Sequence, residues 1–540
     1  MNLENNNTKF GLRSFLYWGI IAVLAILILM KIFLIPKTVN YRRMGGGDSK
    51  IDEVLYLIQS YYFDDVSTQE LKDEAIRGML QNLDPHSSYM PREEAEQANS
   101  VMTGGFEGVG IQFNMLNDTL LVIAVTAGGP SEKMGVMAGD RILTVEGESI
   151  AGVNISNADI IKKLRGKKNT KVHIEILRQG HEKLIPFAIT RDKIAVHSIN
   201  IAYLIAPQIG YINIDNFTLT TENEFKKALK ELIDKGMDKL ILDLRGNPGG
   251  YLNAAIAVCN ELLPKDKLIV YTYGKSVGKE NYFSNARGLF NKKNQQLVVL
   301  IDEYSASASE IVAGAVQDLD RGTVIGRRSF GKGLVQRQFY LRDSSEVLIT
   351  VARYYTPSGR CIQRPFDFAK NDTYYTDIID RYQRGEMENQ DSVHFADSLK
   401  YFTQSGRTVY GGGGIMPDVF VPVYLSDSLI YSNSLINNGI VLNYAMEYAD
   451  KNRGKIHASY KNAADYVKHF AVSEAMIQEM VQRGEKAGIK PHLSSVSRKE
   501  LKKWTKAFIG RNLFGEMGFY PVLNQEDEVV NRGVEALKKG

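Results

Sequence analysis

Ser305-Ala-Ser-Ala-Ser-Glu-Ile-Val-Ala-Gly-Ala-Val-Gln-Asp318, followed by Ser329-Phe-Gly-Lys-Gly-Leu-Val-Gln336, is the stretch on which the reading of this chain turns. The first segment sets Ser305, Ser307 and Ser309 at the start of a helix predicted from Glu310 to Asp318, and the second holds Lys332 between two glycines. Serine is a weak nucleophile until a base takes its proton, and a lysine serves as that base only if burial keeps it neutral. Backbone N–H groups at a helix N-terminus add a place for a developing oxyanion. The spacing therefore offers a serine hydrolase of the Ser–Lys type. The same residues also fit a helix cap and a plain glycine turn, and spacing alone leaves both readings open. None of the eight histidines lies close to these serines in the chain, so Lys332 is the base that the sequence nominates.

Outward from this stretch, strands and helices alternate. Gly210-Tyr-Ile-Asn-Ile214 reads as a strand, 222–235 as an amphipathic helix, and 239–244 as a buried strand. Residues 253–263 read as a helix, and 296–301 as a short apolar run leading into the serines. Such alternation predicts βαβ units and a sheet covered by helices.

With these pieces in place, the chain closely resembles the carboxy-terminal processing peptidases, or tail-specific proteases. Leu242-Asp-Leu-Arg-Gly-Asn-Pro-Gly-Gly250, Ala352-Arg-Tyr-Tyr-Thr-Pro-Ser-Gly-Arg-Cys-Ile-Gln363 and Gly412-Gly-Gly-Ile-Met-Pro-Asp418 carry the likeness together with the two opening segments, in order, from about residue 50 to about 425. The resemblance implies a crotonase- or Clp-like α/β core in a multidomain α+β chain. It places the nucleophile on Ser307, the general base on Lys332 and the glutamine that orients this lysine on Gln336. The implied oxyanion donors are the backbone N–H groups of Ala308 and of Gly249 or Gly250. Asp318 reads as a helix cap or salt-bridge partner, and Ser305 and Ser309 as residues that shape the turn.

Residues 104–192 resemble a PDZ domain, with Phe106-Glu-Gly-Val-Gly-Ile-Gln-Phe113 as its carboxylate-binding loop and the following strand. Successive loop N–H groups make a nest for a chain-terminal carboxylate, while the peptide adds a strand to the open sheet edge. The expected ligand contacts are Gly108, Val109, Gly110 and Ile111. Arg165 matches a position that in some relatives senses the bound tail, and a solvated helix-end arginine is the alternative. The expected domains are 1–47 (cytoplasmic tail, anchor and linker), 48–103 (helical), 104–192 (PDZ), 193–425 (peptidase core) and 426–540 (helical extension). Within the core, 366–402 reads as a surface extension.

The composition is that of an ordinary globular protein, with 44% hydrophobic and 24% charged residues over 540 positions. A formal charge of +4 suggests no nucleic-acid partner. Cys259 and Cys361 are the two cysteines, read as thiols or as a pair. The uncharged run starting at Ser14 predicts a single membrane-spanning helix over about 15–35, with Lys31 at the interface, Gly45-Gly-Gly47 as a flexible join and a cleaved signal peptide as the alternative. The resemblance sets the catalytic part on the periplasmic side of a bacterial inner membrane. Expected partners are protein substrates with free C-terminal tails, and the resemblance also allows a second copy or an activating adaptor. No metal or organic cofactor is expected. The alternative is a membrane-tethered PDZ scaffold that captures C-termini without hydrolysis.

Overall fold

The computed structural model describes residues 50–539, apart from 116–117, 127, 179, 286–287, 367–370 and 424–426. The expected anchor over 15–35 and its glycine join lie outside the described residues. Among the described residues no helix is long and apolar enough to cross a membrane. The chain divides into two units at Gly78. The first contains the helix Lys50–Tyr61, none of whose residues is buried, and most of the helix Thr68–Gln81.

The second unit is built on a six-stranded sheet in the order Ile199–Ala206, Ile209–Ile214, Lys239–Asp243, Gln296–Ile301, Thr323–Gly326 and Val419–Phe420. Its first pair is antiparallel and the rest are parallel. The apolar runs that predict these strands are continuous because both sheet faces are covered. Leu240, Leu242, Leu297, Val299 and Ile301 face a core with the helices Thr221–Asp234, Leu252–Leu262 and Ala308–Asp318. Ile241, Val298 and Leu300 face the other way, onto Val529, Val530 and Leu537 of the C-terminal helix Glu528–Lys539.

A second, antiparallel sheet brings Ser88–Met90, Glu346–Tyr355, Leu268–Gly274 and Gly278–Phe283 together, with Leu334–Tyr340 also paired to Glu346–Tyr355. Gly274-Lys-Ser-Val-Gly278 has the spacing of a nucleophile elbow, yet here it only turns the hairpin between two of these strands.

The PDZ sheet runs Ile111–Met115, Leu120–Val125, Arg141–Val145, Lys171–Leu177, Ile185–Thr190, and leaves Ile111–Met115 at an edge. A two-stranded ladder of Gly105–Gly108 with Asp192–Ala195 stands where the chain enters and leaves this domain. Residues 427–539 are helical, with Trp504, Phe508 and Phe519 in one aromatic cluster and Phe514 against Tyr466. Cys259 and Cys361 are both free thiols.

The segment 366–402 departs from the expected surface extension. Tyr374 and Arg381 of the helix Asn371–Gln383 are buried, and so is Met387. Arg381 donates to the carbonyls of Ser329 (3.1 Å) and Arg328 (2.6 Å), so this polar stretch backs the lysine turn. Its polar composition hid this because arginines that bond backbone carbonyls can be buried without an apolar signature.

Candidate active site

Ser307 stands between the strand Gln296–Ile301 and the helix Ala308–Asp318, with φ 54° and ψ −113°. A non-glycine residue in this region stores about 1–3 kcal/mol of strain and persists only when its neighbours fix it. They do so from both sides. Asp302 Oδ1 accepts the N–H groups of Gly246 (2.9 Å) and Ser305 (3.1 Å), and Ser305 Oγ donates to Leu244 O (2.8 Å). Asn247 O accepts Ala306 N–H and Ser309 Oγ, each at 3.0 Å. Ser305 and Ser309 thus weld the Ser307 turn to the glycine turn. Gly249 is required there: with φ 106°, a Cβ on it would lie 2.8 Å from Ser307 Cβ and 3.0 Å from Ala308 N.

Of the residues expected to donate to an oxyanion, Ala308 and Gly249 therefore flank Ser307 directly. The Gly249 N–H donates to Asn247 Oδ1 at 2.8 Å, and Gly250 is bridged to Phe217 beside it.

Lys332 follows Gly331, whose φ is 89°. Its amine donates to Gln336 Oε1 at 2.9 Å, while Gln336 Nε2 donates to the His86 carbonyl. A bulge between Val335 and Gln336 on the strand Leu334–Tyr340 swings the glutamine toward the lysine despite their separation in sequence. Burial pulls the Lys332 amine below the usual lysine range, against the opposing charges of Asp84 and Glu310. Among the described residues no hydrogen bond joins Ser307 Oγ to Lys332 Nζ. Such contacts are often long without substrate and tighten in the complex.

Several residues that the motif reading passed over hold this arrangement. Glu310 is completely buried, and its carboxylate accepts Ser307 N–H (2.8 Å), Lys332 N–H (2.9 Å), Gly331 N–H (2.7 Å) and Ser329 Oγ (2.5 Å). One side chain thereby ties the Ser307 turn to the Lys332 turn. Burial pushes its pKa up to about 7, against the hydrogen bonds from Ser329, Lys332, Gly331 and Ser307 that lower it. Tyr354 Oη also serves both turns, lying 2.7 Å from Lys332 O and 3.1 Å from Ser307 O. Asp84 folds the loop that presents the His86 carbonyl, by accepting His86 N–H, Ser87 N–H and Ser87 Oγ. The His86 ring meets Tyr374 Oη at 2.8 Å, and burial together with the nearby Lys332 lowers its pKa to about 4. The pattern Ser307-x-x-Glu310 is a capping-box signature and could have singled out Glu310. The other three carry no local signal.

Asp318 is a salt-bridge partner, pairing at 2.7 Å with Arg360, both side chains being fully buried. Removing one member leaves a buried charge alone. Asp318→Ala is therefore expected to cost about 3–5 kcal/mol of stability, read as a shift of the urea unfolding midpoint.

In the PDZ domain, Gly108, Val109, Gly110 and Ile111 run from the hinge ladder into the edge strand. Val109 O accepts Ser131 N–H and Oγ, and Gly110, with φ 75°, accepts Thr126 N–H, which fixes the loop. The helix Asn157–Leu164 packs beside it through Ile160 and Leu164. Arg165 lies with its guanidinium carbon 4.4 Å from the centre of the Phe106 ring. Among the described residues it makes no hydrogen bond or ion pair with Ser307, Lys332 or Gln336. The core thus gathers Ser307, Lys332, Gln336, Ala308 and the glycine turn, while the PDZ positions form a separate locus.

Comparison with known families and proteins agrees with this division. The profile of peptidase family S41 matches residues 208–367, that of the PDZ domain 108–187, and that of the activating protease CtpB N-terminal domain 37–94. A family of unknown function (DUF8443) matches 431–515. The carboxy-terminal processing protease CtpB of Bacillus subtilis is 35% identical over 361 residues, which span 65% of this chain and 74% of that protein. A carboxy-terminal-processing protease of Bartonella bacilliformis is 38% identical over 58% of this chain and 72% of its own length. The protease CtpA of Bacillus subtilis is 36% identical over 59% of this chain and 68% of its own length.

Proposed function

Because the chain belongs to the carboxy-terminal processing proteases of peptidase family S41, which are serine peptidases, we propose that it is an endopeptidase working with a Ser307–Lys332 dyad on proteins held by their C-terminal tails. Being a serine peptidase sets aside the scaffold alternative. The observation that carries the dyad reading is the Glu310 carboxylate, which accepts the backbone N–H groups of both Ser307 and Lys332.

In the proposed cycle the neutral Lys332 amine takes the proton of Ser307 Oγ as that oxygen attacks the scissile carbonyl. Negative charge forms on the carbonyl oxygen beside Ser307, where the backbone N–H groups of Ala308 and of the Gly249-Gly250 turn are the candidate donors. Collapse breaks the C–N bond, and Lys332 returns the proton to the leaving amine. Water then attacks the acyl-enzyme with Lys332 again as base, releasing the new carboxylate and restoring Ser307. Gln336 holds the amine in place throughout. The PDZ edge strand Ile111–Met115 and the loop Gly108–Ile111 would take the substrate's terminal segment and its carboxylate. The apolar run over 15–35 supports an anchor, and the family resemblance, against the count of flanking charges, is what favours the catalytic unit on the periplasmic side of a bacterial inner membrane.

The test incubates the full chain, wild type beside Ser307→Ala, with an unfolded protein bearing an apolar free C-terminus and with the same protein amidated. Mass spectrometry should find fragments from wild type only, and fewer from the amidated substrate. Fragments from Ser307→Ala would remove the dyad assignment. Equal cleavage of both substrates would remove the tail reading.

A further inference from the structure

The helical extension has no assigned role, and the likeness over 431–515 is to a family of unknown function. Its long helix Ile440–Ser459 has two working faces. Val441, Tyr444, Ala445, Ala449 and Ile456 pack into the extension's own core. Leu442, Met446, Asp450 and Arg453 recur at the three- and four-residue spacing of a second helical face, and that face meets the PDZ domain.

The contact is specific in kind. Leu121 and Met446 are 3% and 2% exposed and form one apolar cluster with Ile123 and Leu442. Arg141 Nη1 lies 3.6 Å from Asp450 Oδ2, and Arg453 donates to Ala138 O at 3.1 Å. A Cβ on Gly139 would stand 2.5 Å from Asp450 Oδ1, so the Asp450 carboxylate reaches the PDZ backbone at Gly139. The PDZ strand concerned, Leu120-Leu-Val-Ile-Ala-Val125, is apolar on both faces. Leu120 and Val122 enter the PDZ core with Ile160 and Leu164, whereas Leu121 and Ile123 point to the extension. The seat therefore lies on the sheet face opposite the helix Asn157–Leu164. The edge at Ile111–Met115 stays available for an added strand.

The same extension is fastened to the catalytic core. Asp527 pairs with Arg245 at 2.8 Å, Asn200 Nδ2 donates to Tyr520 Oη at 2.9 Å, and Asn524 donates to Tyr203 Oη at 3.0 Å. The helix Glu528–Lys539 then covers the back of the central sheet. By chain continuity alone the PDZ domain would hang on its two-stranded ladder, and domains joined by small contacts move by default.

We infer that the C-terminal extension is the seat of the PDZ domain: the Leu442–Arg453 face of the helix Ile440–Ser459 holds it at a fixed position relative to the catalytic core. This rests on the PDZ domain taking the substrate's tail. A seated domain presents the rest of a tethered substrate at a high effective concentration, and an unseated one dilutes it.

The experiment uses the full chain with Arg141→Glu, Asp450→Lys, the double swap, and Met446→Asp. Hydrogen exchange over 120–125 and 440–453 reads the seat itself without reference to substrate. Cleavage of a free-tailed protein relative to its amidated form reads its consequence. Arg141→Glu and Asp450→Lys, which bring like charges together, should each speed exchange at both segments and lower the tail preference roughly tenfold. The double swap should restore both, and a short untailed peptide should be cleaved at the wild-type rate throughout. Unchanged exchange in both single charge variants, or no restoration by the swap, overturns the seat. Faster exchange with full tail preference overturns its role in presentation. A wild type without tail preference defeats the tail reading and with it that role, while exchange still decides the contact. The charge variants keep the test valid should Met446→Asp fail to fold.

Discussion

Lys332→Met is expected to lower kcat by about 10⁴-fold, the upper end of what a positioned general base contributes. Lys332→Arg should be as inactive although it keeps a long basic side chain, because a guanidinium does not deprotonate in proteins. Both variants should unfold in urea close to wild type. The direction of the pH dependence follows from the amine's surroundings. Burial favours the neutral form and draws the pKa down, while Asp84 and Glu310 pull it back up. In the proposed dyad the neutral amine is the base, so kcat should fall as pH drops through that lowered pKa and level off above it. A rate independent of pH from mildly acid to mildly alkaline conditions would remove Lys332 from the role of base.

Glu310→Ala is expected to damage both stability and kcat, and for a different reason. The fully buried carboxylate is the acceptor for three backbone N–H groups and one hydroxyl. Stranding them costs about 4 kcal/mol in total, at roughly 1–3 kcal/mol for each buried donor left unpaired and with partial relaxation. Displacing Ser307 from Lys332 by about an ångström should cost a further 10²-fold in kcat. Glu310→Gln keeps the volume but swaps one acceptor for a donor, so its losses should be intermediate. The acid sensitivity has the opposite sign in stability. The folded carboxyl titrates near pH 7, above its ordinary value of 4.5, so between these the native state binds more protons than the unfolded one. This group's contribution to stability therefore falls as pH rises from about 4.5 to about 7. In Glu310→Gln that slope should vanish from urea titrations, while the activity's acid limb, if it belongs to Lys332, should remain. A Glu310→Ala enzyme with wild-type kcat would show that the tie between the two turns is dispensable.

Much of the site was legible because its chemistry sits in contiguous segments. Small residues before a helix and a lysine in a glycine turn are local patterns, and the family likeness ordered them. Gln336 could be named from that likeness, but its reach to Lys332 depends on a bulge that no spacing rule supplies. Asp84, His86 and Tyr374 were not legible, since each reaches the lysine pocket from a distant part of the chain. The stretch 366–402 misled for a related reason: its polarity looked like solvent exposure until Arg381 was seen bonded to the carbonyls of Arg328 and Ser329.

The sequence by itself determined that alternating strands and helices build this core, that a PDZ domain precedes it, and which serine and lysine are the candidates. Periodicity, turn residues and contiguous motifs are properties of neighbours along the chain. Only the tertiary structure decided what covers the second face of the central sheet and where the PDZ domain rests. Those are contacts between residues hundreds of positions apart, such as Ile241 with Val530 or Leu121 with Met446. An apolar strand records that it is to be buried on both faces; it does not record by what, because burial is nearly indifferent to the identity of the apolar partner.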